Sequence, residues 1–193
     1  MSGHLLLISG PAGVGKTTLC NRLLEEFSSS LHRVITATSR KPRYSEVDGV
    51  DYFFFTEEEF LEKVKSQEFL EYEIIHGCYY GTLVKSLTNN LADKNLLLNI
   101  DVKGARSIQE KLPKYLNLSY LSVFIEPQSI RELEERLAIR GTDDAEEIKR
   151  RLTTAVQELE HSRRFDKVIK SYSKDEDYEK IRSEYLNLIS QES

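Results

Sequence analysis

The stretch Gly10-Pro11-Ala12-Gly13-Val14-Gly15-Lys16-Thr17-Thr18 follows directly after the apolar run Leu5-Leu6-Leu7-Ile8. It satisfies G-x-x-x-x-G-K-[ST], the pattern of a phosphate-binding loop, in which glycines let backbone N–H groups converge on phosphate oxygens. Apolar residues at helical spacing come next, at positions 19, 23, 24 and 27. We therefore expect a strand, a loop and a helix, with the lysine at the β- and γ-phosphates of a nucleotide and the first threonine on Mg²⁺.

Length and composition limit the possible functions. With 193 residues, 39% hydrophobic and 31% charged, the chain can bury one good core. Its net charge of −5 argues against a general nucleic-acid binder, which would present a basic face. Cys20 and Cys78 form no disulfide framework and lack zinc-ligand spacing. With no segment that resembles a signal peptide or a membrane span, we expect a soluble, cytoplasmic protein.

Apolar runs alternate with amphipathic helical patterns, which predicts an α/β fold with a central parallel sheet flanked by helices. The segment 49–81 interrupts this alternation and predicts a small antiparallel insertion, with a helix at 57–65 and a strand at 69–75. A glycine-containing break at 140–144 separates two charged helices, which we expect to form a mobile lid. The predicted sheet strands are 5–9, 34–37, 96–101, 119–125 and 167–171; the predicted helices are 16–28, 103–111, 129–140, 145–163 and 175–189.

Charged residues outside the loop indicate which chemistry it serves. Asp101 ends an apolar strand, a pattern that holds Mg²⁺ through water, although a surface aspartate gives the same pattern. Arg40 and Arg43 flank a proline-fixed turn and can bind one phosphate from two sides. A further group of arginines lies at 136, 140 and 151. Each cluster also has a simpler interpretation. Arg40 and Arg43 could be solvated residues of a turn, and the second group could form surface ion pairs with nearby glutamates. Two arginine clusters besides the loop favour a kinase whose acceptor also carries phosphate.

The chain resembles the guanylate kinase family over nearly its whole length. The resemblance rests on the phosphate loop and on six further segments that follow in the family's order: Thr38-Ser39-Arg40-Lys41-Pro42-Arg43, Glu46-Val47-Asp48-Gly49-Val50-Asp51-Tyr52-Phe53-Phe54, Phe69-Leu70-Glu71, Tyr79-Tyr80-Gly81-Thr82, Ile100-Asp101-Val102-Lys103-Gly104-Ala105 and Arg136-Leu137-Ala138-Ile139-Arg140-Gly141-Thr142. It implies a P-loop kinase fold that transfers the γ-phosphoryl group of ATP to GMP or dGMP with Mg²⁺. It also implies a core at about 1–37, 84–128 and 160–193, a mixed α/β GMP-binding insertion at about 38–83 and a helical lid at about 129–159.

The resemblance also implies a role for each site residue. ATP would contact Gly10, Ala12, Gly13, Val14, Gly15, Lys16, Thr17 and Thr18. The GMP phosphate would contact Arg40, Arg43, Tyr52 and Tyr80, and its base would contact Thr36, Glu71 and Thr82 with Asp101 nearby. Catalytic roles would fall to Lys16, Arg40, Arg136, Arg140 and Arg151, and the metal would bind Thr17 and, through water, Asp101. The implied partners are nucleotides alone, with neither nucleic acid nor membrane, for a monomer or weak homo-oligomer.

Physical chemistry supports the assignment of the base site. Guanine presents N1–H and its 2-amino group side by side, so the carboxylate of Glu71 can accept from both, while a hydroxyl of Thr36 or Thr82 donates to O6. Adenine presents an acceptor at N1 and would leave the carboxylate unpaired, at a cost of about several kcal/mol. The alternative is a solvated glutamate on a strand beside core aromatic residues.

Three positions depart from the family pattern. Asn99 stands where the family usually has an acidic residue, Ala12 replaces a frequent serine, and Lys170-Ser171-Tyr172 replaces an Asn-Asp pair near the adenine. These departures put the metal contact and the adenine contact in question. Three alternatives stay open: a kinase for another nucleoside monophosphate, a non-catalytic peptide-binding module of the same fold, and a P-loop switch protein or ATPase.

Overall fold

A computed structural model describes residues 3–75, 77–89, 94–116, 118–140 and 144–190, with the side chain of Arg140 excluded. Its main sheet has five parallel strands in the order β2-β7-β1-β8-β9. These strands are β1 Leu5–Ser9, β2 Leu31–Arg33, β7 Asn95–Asn99, β8 Tyr120–Glu126 and β9 Lys167–Lys170. The helices are α1 Lys16–Glu26, α2 Glu57–Lys65, α3 Val84–Thr88, α4 Val102–Tyr115, α5 Ile130–Arg140, α6 Ala145–Leu159 and α7 Lys174–Ser190.

Strand β1 lies at the centre of the main sheet and is buried along its whole length. Its alternate side chains enter two hydrophobic clusters, as the pleat of a strand requires. Leu6 and Ile8 pack with residues of α1 and α7, such as Leu23 and Tyr185. On the other face, Leu5 and Leu7 pack with residues of α4. Both faces are covered, so the strand is continuously apolar, and its carboxyl end is fixed where the phosphate loop begins.

A second sheet of four strands has the order β4-β3-β6-β5. Its strands are β3 Ala37–Thr38, β4 Phe53–Phe54, β5 Phe69–Ile75 and β6 Cys78–Leu83. Helix α2, which begins with a capping box at Thr56 and Glu59, contributes Phe60 to a small core beneath this sheet. The second sheet therefore has its own apolar cluster, and its residues outside this cluster can take part in a binding site.

The structure corrects the sequence-based prediction at two places. The predicted strand 34–37 is wrong, because β2 ends at Arg33 in the main sheet and β3 begins at Ala37 in the second sheet. The insertion is mixed rather than antiparallel, because β3 pairs in parallel with β4. Apolar pattern alone cannot show where a chain leaves one sheet for another. Strand β6 and the short α3 were not predicted.

Helices α5 and α6 pack against each other and form an arm beside the phosphate loop, and Leu133 and Ala155 join the core. The predicted helix 145–163 ends at Leu159 and is followed by a 3-10 turn, Ser162–Arg164. The predicted break between the helices falls on residues 141–143, which lie outside the described residues. Across the described parts of the chain, every helix is too short or too polar to cross a bilayer.

Candidate nucleotide-binding site

The phosphate loop lies between β1 and α1, at the carboxyl edge of the main sheet. Gly13 and Gly15 have φ angles of 87° and 106°, which other residues rarely adopt. Gly10 has a φ of 142°, and a Cβ there would lie 2.4 Å from the carbonyl oxygen of Ile125. The Nζ of Lys16 donates to the carbonyl oxygens of Gly10 and Pro11 at 2.6 and 3.0 Å. The loop is thus shaped by its backbone, as the motif predicts.

One cavity, of about 520 Å³, lies on the outer side of this loop, and Arg136 of α5 forms part of its lining. The Nη1 of Arg136 donates to the carbonyl oxygen of Val14 at 3.0 Å, and its Nη2 donates to Glu132 at 2.5 Å. Arg136 therefore reaches the loop and also forms the predicted pair with a glutamate of its own helix. The cavity is lined by residues 12–19, Arg136, Lys174 and Asp177.

The segment near the predicted adenine contact is held by Asp177, which is buried in the first turn of α7. Its carboxylate accepts from the hydroxyl of Ser171 at 2.6 Å and from the backbone N–H of Tyr172 at 2.8 Å. This aspartate lines the outer cavity, whereas sequence reasoning had considered only residues 170–172. Asp177 thus holds residues 171 and 172, which belong to the segment that departs from the family's Asn-Asp pattern.

A second cavity, of about 290 Å³, lies on the inner side of the loop, between the main sheet, the second sheet and α6. It brings together most of the predicted acceptor residues with the predicted catalytic lysine. Its lining includes Gly10, Ala12, Lys16, Thr17, Thr36, Arg43, Tyr52, Glu71, Tyr80, Asn99, Asp101, Arg151, Thr154 and Glu158. Residues more than 140 positions apart in sequence therefore face one space, and Lys16 is shared by both cavities.

The predicted base-binding carboxylate lies deep in this inner cavity. Glu71 is 2% exposed, and Thr82, its partner in the register of β5 and β6, donates to its Oε1 at 2.6 Å. Burial raises the pKa of Glu71 to about 7, while the hydrogen bond from Thr82 opposes that rise. The hydroxyl proton of Thr82 is used on Glu71, and of these two predicted threonines Thr36 is the one that lines the cavity.

Aromatic and arginine side chains form the wall of the inner cavity nearest the insertion. The rings of Tyr52 and Tyr80 lie edge to face, 6.1 Å apart. Burial raises the pKa of Tyr52 above its usual value. Arg43 lines the cavity, whereas Arg40 lies behind Tyr80 and donates from Nε to its hydroxyl at 3.2 Å. The structure thus brings both tyrosines and one of the two predicted arginines to the cavity surface.

Asp101 caps α4 as well as lining the cavity. Its Oδ1 accepts from the backbone N–H groups of Lys103 and Gly104 at 2.9 and 3.1 Å. The amide of Asn99 donates to the Thr17 hydroxyl at 3.5 Å. The described residues contain no group of three or more His, Cys, Asp or Glu side chains that could hold a metal. A divalent cation here would therefore take most of its ligands from water and phosphate oxygens, the usual pattern for Mg²⁺ beside nucleotides.

Helix α6 contributes to the inner cavity through one face. Arg151 donates from Nε to Glu147 at 3.0 Å and lines the cavity with Thr154 and Glu158. Glu158 was missed by sequence reasoning, although its spacing of seven residues from Arg151 places both on one helix face. Burial raises its pKa to about 7, Lys16 lowers it, and Asp101 raises it. The side chain of Arg140, predicted to be catalytic, lies outside the described residues.

A phosphate-binding loop at the carboxyl edge of a parallel sheet, with one nucleotide-sized cavity on each side of its lysine, defines a P-loop kinase fold. The guanylate kinase family model matches residues 2–187. The chain belongs to the guanylate kinase family.

Individual relatives agree with the family assignment. The chain is 44% identical over 168 residues to a guanylate kinase of Fusobacterium nucleatum, covering 86% of this chain and 87% of that protein. It is 43% identical over 186 residues to one of Nitratidesulfovibrio vulgaris, covering 96% and 87%. Among solved structures, a guanylate kinase from Anaplasma phagocytophilum is similar with a TM-score of 0.77 and 29% identity, covering 100% of this chain and 88% of that one.

Proposed function

We propose that this chain transfers the γ-phosphoryl group of ATP to GMP or dGMP, giving ADP and GDP or dGDP. The observation that carries the proposal is the deeply buried Glu71, which shares one cavity with Lys16 of the phosphate loop. A carboxylate at that depth is matched by the paired donors N1–H and N2–H of guanine. Thr36, on the cavity wall, supplies a hydroxyl for O6. Adenine offers no such pair of donors.

The acceptor phosphate would lie at the wall formed by Arg43, Tyr52 and Tyr80. One arginine and two phenol hydroxyls can all donate to phosphate oxygens, and Arg40 supports them from behind through Tyr80. The second pKa of a phosphate monoester is about 6, so its attacking oxygen is anionic near neutral pH. The proposed reaction therefore requires positioning and charge neutralisation rather than a general base.

ATP would occupy the outer cavity, with its phosphates on the backbone N–H groups of residues 10–18. Lys16 borders both cavities, so its ammonium can neutralise the phosphoryl group that passes between them. Arg136 at Val14 and Arg151 in the inner cavity would neutralise the transferring group from the α5–α6 arm, and Arg140 is proposed to join them. Mg²⁺ would neutralise charge on the ATP phosphates when bound at Thr17 and, through water, at Asp101.

The proposed division into a core, an insertion and a lid gives these parts different tasks. The core holds the phosphate loop, the insertion carries Glu71 and the tyrosine pair, and the α5–α6 arm carries the arginines. Closure of the insertion and the arm over both nucleotides would exclude water and limit hydrolysis of ATP. Small-angle scattering with and without both nucleotides tests this closure, and an unchanged radius of gyration would contradict it. The cytoplasmic location and the monomeric or weakly associated state remain predictions.

A coupled ADP-release assay with GMP, dGMP and AMP tests the proposed reaction. We expect kcat/KM for GMP to exceed that for AMP by about 100-fold or more, because adenine leaves the buried carboxylate unpaired. Lys16→Ala should lower kcat with GMP by about 100-fold or more. The variant lacks the positive charge that would neutralise the phosphoryl group as it passes between the two anionic nucleotides. Lys65→Ala, at the exposed end of α2, serves as the matched control. Equal rates with GMP and AMP in the wild type would refute the base assignment.

A further inference from the structure

Arg40 is fixed by an unusually complete set of acceptors, most of them on the loop that follows it. Its Nη1 and Nη2 donate to the two carboxylate oxygens of Glu46 at 2.8 and 2.9 Å. Nη1 also donates to the carbonyl oxygen of Lys41 at 2.7 Å, and Nε donates to the Tyr80 hydroxyl at 3.2 Å. A guanidinium has five N–H donors, so one is left for anything else. While Arg40 is paired with Glu46, it therefore cannot donate two N–H groups to one phosphate.

The hydrogen bond from Arg40 determines what the Tyr80 hydroxyl can do. Because that oxygen accepts from a cation, its own proton is left to be donated, and it donates to no described residue. Tyr80 lines the inner cavity, so its O–H can serve an anion there. A hydroxyl polarised by a cationic donor is a stronger donor itself. The contacts therefore run from the carboxylate of Glu46 through the guanidinium of Arg40 to the hydroxyl of Tyr80, which lines the inner cavity.

We propose that Glu46 is a positioning residue for the acceptor's phosphate group, acting through Arg40 and the hydroxyl of Tyr80. The inference rests on the proposed function, which places that phosphate at Tyr80. The Arg40–Glu46 pair is largely shielded, with 18% and 14% of the side chains exposed. The hydrogen bonds from Arg40 keep the pKa of Glu46 below its usual value, so the carboxylate is charged at neutral pH. A pair of this kind holds its geometry better than one in full solvent.

A simpler role for Glu46 would be to fasten its own loop, since its Oε2 also accepts from the backbone N–H of Arg43 at 2.7 Å. Asp51 supplies a matched control for that role. Its carboxylate accepts from the backbone N–H of Val47 at 2.8 Å in the same loop and makes no described contact with Arg40 or Tyr80. Simple Coulomb attraction predicts a third result, because removing a negative charge beside two arginines would tighten the binding of any anion.

Isothermal titration of GMP and guanosine separates these possibilities, because guanosine lacks only the phosphate. For Glu46→Gln we expect the Kd of GMP to rise about tenfold while that of guanosine changes less than about twofold. For Asp51→Asn we expect the ratio of the two Kd values to stay at the wild-type value. In a Tyr80→Phe background, Glu46→Gln should weaken GMP binding by less than about threefold further, because both changes interrupt one chain of contacts.

For Glu46→Gln itself, three results would overturn the proposal: equal weakening of GMP and guanosine, tighter binding of GMP, or full additivity with Tyr80→Phe. The proposal would also be overturned if Asp51→Asn changed the ratio of the Kd values for GMP and guanosine as much as Glu46→Gln does. Anchoring of the loop would then be enough to explain the effect of Glu46. The proposed function fails on a different result, namely a wild-type protein that does not prefer GMP to AMP in the transfer assay. The two failures can therefore be told apart.

Discussion

The two sides of Lys16 are built in different ways. The outer cavity is formed mainly by one continuous segment, residues 12–19, which includes the glycines of the phosphate loop. The inner cavity is formed by side chains from both sheets, from the loop before α4 and from α6. Backbone N–H groups at a glycine-rich turn bind phosphate of any nucleotide, whereas side chains distinguish one base from another. On the proposed function, phosphate binding therefore depends on one short segment of the chain, whereas base selectivity depends on residues from several separate elements.

The electrostatics of the two sides differ in the same way. Two carboxyl groups with a pKa raised to about 7, Glu71 and Glu158, both line the inner cavity. On the outer side, Asp177 is buried but has two hydrogen-bond donors to its carboxylate. Buried carboxyl groups that lack a full set of hydrogen-bond donors lower the stability of the fold. They remain able to accept hydrogen bonds from a ligand in the inner cavity. This difference leads to predictions that change one side at a time.

The largest expected effect comes from the backbone of the phosphate loop. In Gly10→Ala, the new Cβ would lie 2.4 Å from the Ile125 carbonyl oxygen at a φ of 142°, so the loop must move away from β8. We expect a loss of about 3 kcal/mol or more in the free energy of unfolding, and transfer to GMP below about 1% of wild type. Denaturant unfolding and the ADP-release assay measure the two effects.

Gly77→Ala is the matched control for this change. Gly77 also has a positive φ, 78°, but a Cβ there meets nothing within 4 Å. The expected cost is about 1 kcal/mol from backbone strain alone, with activity near wild type. If Gly10→Ala and Gly77→Ala cost the same, close packing of the loop against β8 is not what requires glycine.

The second prediction concerns base selectivity on the inner side. Glu71→Gln replaces a pure acceptor with one acceptor and one donor, which suits the N1 and 6-amino edge of adenine. We expect the ratio of kcat/KM for GMP to that for AMP to fall by about 100-fold. Glu73→Gln, two residues along β5, is the control, since Glu73 accepts from Ser107 and lies outside the cavity lining. An unchanged ratio in Glu71→Gln would remove this carboxylate from base recognition.

The third prediction concerns stability and pH. Burial raises the pKa of Glu71 from 4.5 to about 7, so the folded chain keeps a proton that the unfolded chain loses. Its contribution to stability is therefore full below pH 4.5 and is lost as pH rises to about 7. At pH 8, Glu71→Gln should raise the Tm by several degrees, corresponding to about 3 kcal/mol, and at pH 4.5 the gain should vanish.

Glu158→Gln should show the same sign with a smaller shift in Tm, because Glu158 is partly exposed to solvent. Its exposed neighbour Glu160 provides the control variant, Glu160→Gln, for which we expect no pH-dependent gain. Differential scanning calorimetry across this pH range measures all three variants. A gain that is the same at acid and alkaline pH would show that packing, rather than ionisation, is responsible.

The smallest expected effect lies where the two sides meet. Asn99→Asp places a carboxylate beside the Thr17 hydroxyl, to which the Asn99 amide donates in the wild type. We expect the Mg²⁺ concentration for half-maximal activity to fall by about threefold, since one negative charge is added near the proposed metal site. Asn89→Asp, after α3, serves as the control. A higher Mg²⁺ requirement in Asn99→Asp would place the metal elsewhere.

Features of the fold and the site that depend on neighbouring residues could be predicted from the sequence, and features that depend on distant residues could not. The bounds of α2 and β5 were predicted as observed, and a capping box at Thr56 and Glu59 marks the start of α2. The position of β2 was wrong by three residues, because the strand of the main sheet ends at Arg33 and the apolar pattern that continues to Ala37 leads into the second sheet. Glu158 was missed because its role depends on where α6 lies relative to the main sheet, and no local pattern states that.

The sequence by itself determined the phosphate loop, the central parallel sheet and the family, because these depend on glycine conformation, apolar periodicity and motifs of neighbouring residues. Tertiary structure alone decided that Thr82 donates to Glu71, that Arg40 lies behind Tyr80, and that Glu158 enters the cleft. Hydrogen bonds and desolvation between residues far apart in the chain depend on positions in space. Those positions are determined by the packing of the two sheets and the helical arm, and spacing along the sequence does not contain them.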